Sequence, residues 1–271
     1  MKRSIVLTIV ILALLSIVLT ACSNNSSSTE EDTIHIKIGA SPVPHAEILN
    51  EIQPMLKEKG IEIEIIEFTD YIQPNIALAE GQLDYNFFQH EQYLETFAAE
   101  HELDIVGGVK VHVEPMGLYS RSIGSLDEII DGASIAIPND PTNGGRALIL
   151  LQENGLIKLK EDSGLEATDK DILENPKNLQ FVPVESAQLP RVLEDVDAAV
   201  INTNYALEAN LNPKEDSIIM EDENSPYLNL IALRKGEEDS EVTKALEEAL
   251  TSDTVREFIE SKYQGAILPV F

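Results

Sequence analysis

From Ile34 to the C-terminus the chain alternates strand-like and helix-like runs, and that alternation limits the fold more than any other feature of the sequence. Ile34, Ile36 and Ile38 alternate with His35 and Lys37 until Gly39 and Pro42 end the run, the period-2 pattern of a strand. Residues 46–59 read as a helix in which Pro54 is a candidate kink. Residues 61–65 alternate again, 75–80 form a short helix closed by Gly81, 84–89 are extended and 91–102 are helical. Strands are expected at 105–113, 116–120, 134–137, 179–184, 198–201 and 228–233. Further helices are expected at 146–154, near 189–194, and from 241 to about 263. Ser125 and Glu128 carry the spacing of a capping box. There is no internal repeat of fixed period. Such alternation predicts parallel sheets covered by helices. At this length two α/β lobes are expected, with a ligand cleft at the loops that follow the strand C-termini.

The N-terminus is a different kind of sequence. Lys2 and Arg3 precede an apolar run over residues 5–20, which closes on Leu19-Thr20-Ala21-Cys22. A basic start, a short apolar core and a small residue at the cut make a secretory signal peptide, residues 1–21. The run is short for a spanning helix, which needs about 20 residues. Leu-Thr-Ala-Cys resembles a bacterial lipobox, in which the cysteine takes a diacylglycerol and becomes the first mature residue. The other reading is an uncleaved signal anchor with a chance cysteine. Residues 22–32 then form a Ser-, Asn- and Glu-rich leash that cannot bury a core. Cys22 is the single cysteine, so no intramolecular disulfide supports the fold. The apolar content of 43% is enough for a core without one.

A net charge of −29 argues against nucleic acid or an anionic bilayer as a direct partner. It says little about a small ligand, because one arginine in a closed cleft overrules the global field. Enzyme signatures are lacking: there is no G-x-S-x-G, H-E-x-x-H, P-loop or G-x-G-x-x-G, and no carboxylate pair stands out by its spacing. The five histidines, at 35, 45, 90, 101 and 112, fall in separate elements, so no metal and no cofactor is expected.

The segment Pro138-Asn139-Asp140-Pro141-Thr142-Asn143-Gly144-Gly145-Arg146 leaves a strand and enters a helix. Its glycines let backbone N–H groups approach a ligand, and Asn143 lies beside them. Arg146 at a helix N-terminus opposes the helix dipole, a mismatch that a bound carboxylate would resolve. The bland reading pairs Arg146 with a nearby acid such as Asp140. In residues 84–90, Asn86, Phe88 and His90 share one face of an extended strand, and Tyr93 follows. A polar-aromatic-polar face suits a cleft wall, although ordinary sheet packing gives the same pattern. Tyr71 lies in a loop and reads as a wall or as surface. Asn202 ends an apolar strand and suits a ligand contact, whereas Asn204 is assigned to cap the next helix. Asn229, a lone amide among apolar neighbours, needs a partner from a sheet edge or a ligand.

Taken together these segments resemble the methionine-binding lipoproteins that feed ABC importers. The matching residues are the lipobox, Asp70-Tyr71 with Pro74-Asn75, Phe88-Gln89-His90 with Tyr93, and residues 138–143 with Gly145-Arg146. Residues 174–179, Gln188-Leu189-Pro190-Arg191, Val200-Ile201-Asn202-Thr203 and Ser225-Pro226-Tyr227 with Asn229 extend the match over the whole mature chain. The resemblance implies a two-lobed type II periplasmic-binding-protein fold. Its first lobe would be discontinuous, 33–112 with 226–271, and its second would span 113–225. It further implies that Arg146 holds an amino acid carboxylate, with Asn202 and Asn229 near that polar end. Tyr71, Phe88, His90 and Tyr93 would line the side-chain pocket. The implied ligand is L-methionine, with D-methionine or a methionine peptide as alternatives. The implied partners are the permease and ATPase of the importer, and the membrane only through the N-terminal lipid, on the extracytoplasmic face. Phe87 adds bulk able to reshape the pocket. Glu114 is either a partner for a ligand ammonium or a solvated side chain, and the second is preferred. A lipid-anchored hydrolase with a non-standard site, or an adhesin using the same fold, would also fit a leader, a leash and an α/β domain.

Overall fold

A computed structural model of the protein describes residues 33–271. The leader, Cys22 and the leash lie outside the described residues. Among those described, no helix is long and apolar enough to cross a membrane.

The strands are Ile34–Ala40 (β1), Ile61–Glu67 (β2), Tyr85–His90 (β3), Ile105–Val113 (β4), Gly117–Tyr119 (β5), Ser134–Pro138 (β6), Lys158–Leu159 (β7), Ile172–Glu174 (β8), Gln180–Val184 (β9), Ala198–Ile201 (β10), Ser217–Met220 (β11), Leu228–Arg234 (β12) and Leu268–Pro269 (β13). They form a sheet in the order β13-β4-β12-β3-β1-β2, a second in the order β11-β5-β10-β6-β9, and the small pair β7-β8. The chain leaves the first sheet after Val113 and rejoins it at Leu228.

Neither sheet is wholly parallel. β1 runs parallel to β2 and β3, and β6 parallel to β9 and β10. β12 is antiparallel to both β3 and β4, and β5 is antiparallel to β10 and β11. Hydrophobic period identifies a strand but not its direction. β12 comes from the far end of the chain and wedges between β3 and β4, which a local reading cannot foresee.

The first sheet buries Ile38, Phe87, Val111 and Ile231 against Ile48, Leu49, Ile52 and Leu56 of the helix Glu47–Glu58. Pro54 lies inside that helix, which continues past it. The second sheet buries Ile135 and Val200 against Leu148 and Leu151 of the helix Pro141–Glu153. Each such fully buried aliphatic side chain contributes about 1.5–3 kcal/mol of transfer free energy.

Three local expectations change. The helix expected from residue 146 begins at Pro141, with Asp140 as its N-cap accepting the Asn143 N–H, so Arg146 stands in its second turn. The closing helix is two, Glu241–Leu250 and Asp253–Tyr263, because Ser252 caps the second. Ser125 makes no side-chain cap bond; the Glu128 carboxylate instead accepts the Gly124 N–H at 2.8 Å.

Candidate functional site

The two sheets approach each other around a small, largely enclosed cavity. One wall is aromatic. Phe88, Gln89 and His90 come from the C-terminal end of β3, Tyr93 from the helix Glu91–Glu100, and Tyr71 from the loop before the helix Gln73–Ala79. The other wall is polar: Asn143 and Arg146 follow β6, Asn202, Thr203 and Asn204 follow β10, and Glu114 follows β4. Asn229 of β12 completes the enclosure. The structure therefore brings all eight expected site residues to one chamber, mostly at strand C-terminal ends, as open α/β sheets require.

β3 reaches the cavity through a bulge. On β12, Ile231 pairs with Phe87 and Leu230 pairs with Gln89, so Phe88 is an extra residue without an opposite number. Phe87, before the bulge, keeps the alternation with Tyr85 and faces the core of the first sheet, fully buried, so it does not line the cavity. The expectation that it reshapes the pocket is corrected on that ground. Gln89 enters a closed amide cluster, exchanging hydrogen bonds with Asn75 and Asn86 at 2.7–2.9 Å. Simple alternation would have put Asn86 and Gln89 on opposite faces.

The rings of Tyr71, Phe88 and Tyr93 pack with centroids 5.7–6.2 Å apart, and Tyr205 adds a fourth ring 4.9 Å from Tyr71. Tyr71 donates its hydroxyl to Asn204 Oδ1 at 2.6 Å, and Tyr93 donates to the Tyr71 carbonyl at 3.1 Å. Burial pushes both phenols up, so they serve as neutral donors.

His90 joins the two walls. Its Nδ1 accepts the Tyr93 N–H at 3.1 Å, which caps the helix Glu91–Glu100 and leaves the proton on Nε2. Nε2 faces Asn143 Oδ1 at 3.3 Å, and that oxygen also accepts the Asn202 amide at 2.7 Å. Burial first, and the Arg146 charge second, push the imidazole down to about 3.

Arg146 is 2% exposed and already holds a carboxylate, though not the expected one. Its Nε and Nη2 donate to Glu221 at 2.7 and 2.5 Å, and Nη2 also donates to the Glu114 carbonyl at 2.7 Å. Tyr227 covers the guanidinium at 4.3 Å. Burial opposes the charge, but Glu221 outweighs it and raises the Arg146 pKa. Asp140, the sequence-based alternative partner, is instead spent on the Asn143 and Thr142 side chains. The glycines before Arg146 also have another purpose. A Cβ on Gly145 would lie 2.2 Å from the Leu165 carbonyl, and one on Gly144 2.9 Å from the Pro138 carbonyl. They permit close packing.

Glu114 is not solvated. It is 6% exposed, and its Oε1 lies 3.3 Å from His45 Nε2 and 2.8 Å from His112 Nε2. Its Oε2 accepts the Asn204 N–H at 3.1 Å, so Glu114, and not the Asn204 side chain, serves the start of the helix Thr203–Glu208. Burial pushes the carboxyl up, and His45, Arg146 and the Asn204 N–H push back. Sequence reasoning missed this gathering, along with Tyr205, Tyr227 and Glu221. His45 and His112 lie far apart in the chain, yet together with Glu114 they present ligand-type atoms within 4.8 Å of one another.

Comparison with known proteins shows what the chain is similar to. The family described as NlpA lipoprotein matches residues 36–271. The methionine-binding lipoprotein MetQ of Bacillus subtilis is 45% identical over 260 residues, covering 93% of this chain and 94% of its own. The D-methionine-binding lipoprotein MetQ of Salmonella typhimurium is 44% identical over 253 residues, 92% of each chain. The solved structure of a nutrient binding protein from Burkholderia cenocepacia bound to methionine superposes with a TM-score of 0.85 at 46% identity, over 87% of this chain and all (100%) of that one.

Proposed function

The chain belongs to the NlpA lipoprotein family, and from that premise we propose that it is the lipid-anchored, extracytoplasmic substrate-binding protein of an ABC importer, with methionine as its ligand. The observation that carries the reading is the joining, in one enclosed chamber, of a ring-lined end to a buried guanidinium. The thioether lies among Tyr71, Phe88 and Tyr93, where each sulfur–ring contact contributes about 0.3–1.5 kcal/mol. The carboxylate lies at the Nη1 edge of Arg146, which makes no hydrogen bond among the described residues, with Asn143, Asn202 and Asn229 at the same polar end. Residues 33–112 with 226–271 form one lobe and 113–225 the other, closing on the ligand. Cys22 carries the lipid, residues 23–32 form the leash, and the permease and ATPase of the importer receive the cargo. The relatives are named as binding proteins, and this reading assigns the chain no reaction.

Isothermal titration on ligand-stripped protein tests the ligand. L-methionine is expected to bind and to raise the melting temperature with the logarithm of its concentration. D-methionine and a methionine dipeptide are the comparison arms. Failure of all three to bind would remove the reading, and hydrolysis of the dipeptide would favour a hydrolase. For the anchor, Cys22→Ala is expected to abolish diacylglycerol attachment and leader cleavage. Normal processing of that variant would remove the lipoprotein assignment.

A further inference from the structure

The His45–Glu114–His112 cluster stands at the edge of the cavity and has no part in the contacts proposed so far. Two acceptors face His45 Nε2, Glu114 Oε1 at 3.3 Å and Asn229 Oδ1 at 3.2 Å. The proton therefore sits on Nε2, and Nδ1 accepts the Ser41 hydroxyl at 2.6 Å. His112 Nε2 donates to the same Glu114 oxygen at 2.8 Å. Phe87 braces both rings edge-on, with centroids 4.6 Å from His45 and 5.4 Å from His112. Burial pushes the two imidazoles down to about 4 and about 3, so both are neutral donors at physiological pH.

A count of acceptor sites then matters. A carboxylate offers about four. Oε1 accepts the His112 N–H and lies 3.3 Å from His45 Nε2, and Oε2 accepts the Asn204 N–H, so at least one site remains on Oε2, in a side chain that lines the cavity. The charge count agrees. Arg146 and Glu114 are the charged residues lining the chamber, and Glu221 already neutralises Arg146. Glu114 is left without a cationic side chain of its own in that lining. Asn202 adds an independent sign: it is 6% exposed, and its buried Oδ1 has no hydrogen-bond partner. An acceptor without a donor and a carboxylate with a free acceptor site, in the walls of one chamber, describe a receptor for an N–H cation.

We propose that Glu114 receives the primary ammonium of the ligand, and that His45 and His112, braced by Phe87, are the positioning residues that aim its carboxylate. The inference rests on the methionine reading and deepens it: the site demands a free α-ammonium as well as a carboxylate and a thioether.

The test compares methionine with 4-(methylsulfanyl)butanoate, which keeps the thioether and carboxylate and lacks the ammonium. Wild-type protein is expected to bind methionine about 10- to 100-fold more tightly, the range for a hydrogen bond to a charged group. Glu114→Gln is expected to lose a similar factor for methionine and to leave the analogue within about threefold, collapsing the ratio. His112→Ala is expected to shrink the ratio without direct contact to either ligand. His112→Gln, whose amide N–H reaches the position of Nε2, is expected to restore most of it, as is His45→Gln relative to His45→Ala. The comparison on wild-type protein requires no variant, so a misfolded mutant leaves the inference open to refutation. Failure of wild type to bind methionine at all would sink the ligand reading and this inference together. Equal binding of methionine and analogue, or an unchanged ratio in Glu114→Gln, would sink this inference alone. Zinc that binds the wild type and competes with methionine would also overturn it, by claiming the cluster as a metal site.

Discussion

On the aromatic side of the cavity, Tyr71, Phe88 and Tyr93 rest on one another, Tyr71 also rests on Tyr205, and the Tyr71 and Tyr93 hydroxyls reach one acceptor each. On the polar side, Arg146, Glu221, Asn143, Asn202 and Glu114 are bound into chains, in which Arg146 Nη2 and Asn143 Oδ1 each serve two neighbours. The first wall is held by packing, which weakens in proportion to what is removed. The second is held by buried charge and amide pairs, and loss of one partner leaves the other desolvated. Damage to the aromatic wall should therefore be graded and local. Damage to the polar wall should be large and shared.

The sharpest test of that contrast is Arg146→Ala. It strands Glu221, whose side chain is 9% exposed, and is expected to cost about 3–5 kcal/mol of stability in urea denaturation as well as measurable methionine binding. A wild-type midpoint would break the comparison. Arg146→Met combined with Glu221→Leu should recover most of the stability and none of the binding.

His90 is next, because it touches both walls. Its folded pKa lies near 3 against 6.5 in the unfolded chain, so the unfolded state takes up the proton first. Its stabilising effect is complete above about pH 6.5 and is lost as pH falls towards 3, by about 1.4 kcal/mol per unit. His90→Gln cannot be protonated. Its stability relative to wild type should be flat above pH 6.5 and should rise below, as read by denaturation at stepped pH. A flat difference down to pH 4 would show that His90 is not held neutral.

Asn202→Ala removes the bond to Asn143 and is expected to weaken methionine by about 1–2 kcal/mol. In a cycle with Asn143→Ala the two changes should couple by about 0.5 kcal/mol or more. Phe88→Leu should have the smallest effect, about 0.3–1.5 kcal/mol in affinity by titration. A loss at Phe88 larger than at Asn202 would reverse the ranking of the walls.

Much of this was legible in the sequence because it is local. The strand and helix runs follow from period. Most of the eight expected residues converge because they lie at strand C-terminal ends or in the loops and first helical turns that follow. What was not legible depended on distant partners. Arg146 looked displaced at a helix start, yet the helix begins at Pro141 and its counter-charge lies 75 residues on, at Glu221. Phe88 and His90 line the cavity as alternation predicts, but Gln89 joins them and Asn86 does not, because a bulge interrupts the alternation at Phe88. Glu114 beside Pro115 reads as a polar linker until the fold brings His45 and His112 onto it.

The guanidinium of Arg146 touches both stretches by which the chain passes between its sheets, through the Glu114 carbonyl on one and the Glu221 carboxylate on the other. This tie restricts how such a protein can diversify. A lineage drifting towards a new cargo cannot begin by altering Arg146 without weakening both crossings at once. The rings of Tyr71, Phe88 and Tyr93 bear no such second duty. New specificities should therefore arise first among side chains that are still carried on an amino acid backbone, and only later, if ever, among molecules that lack one.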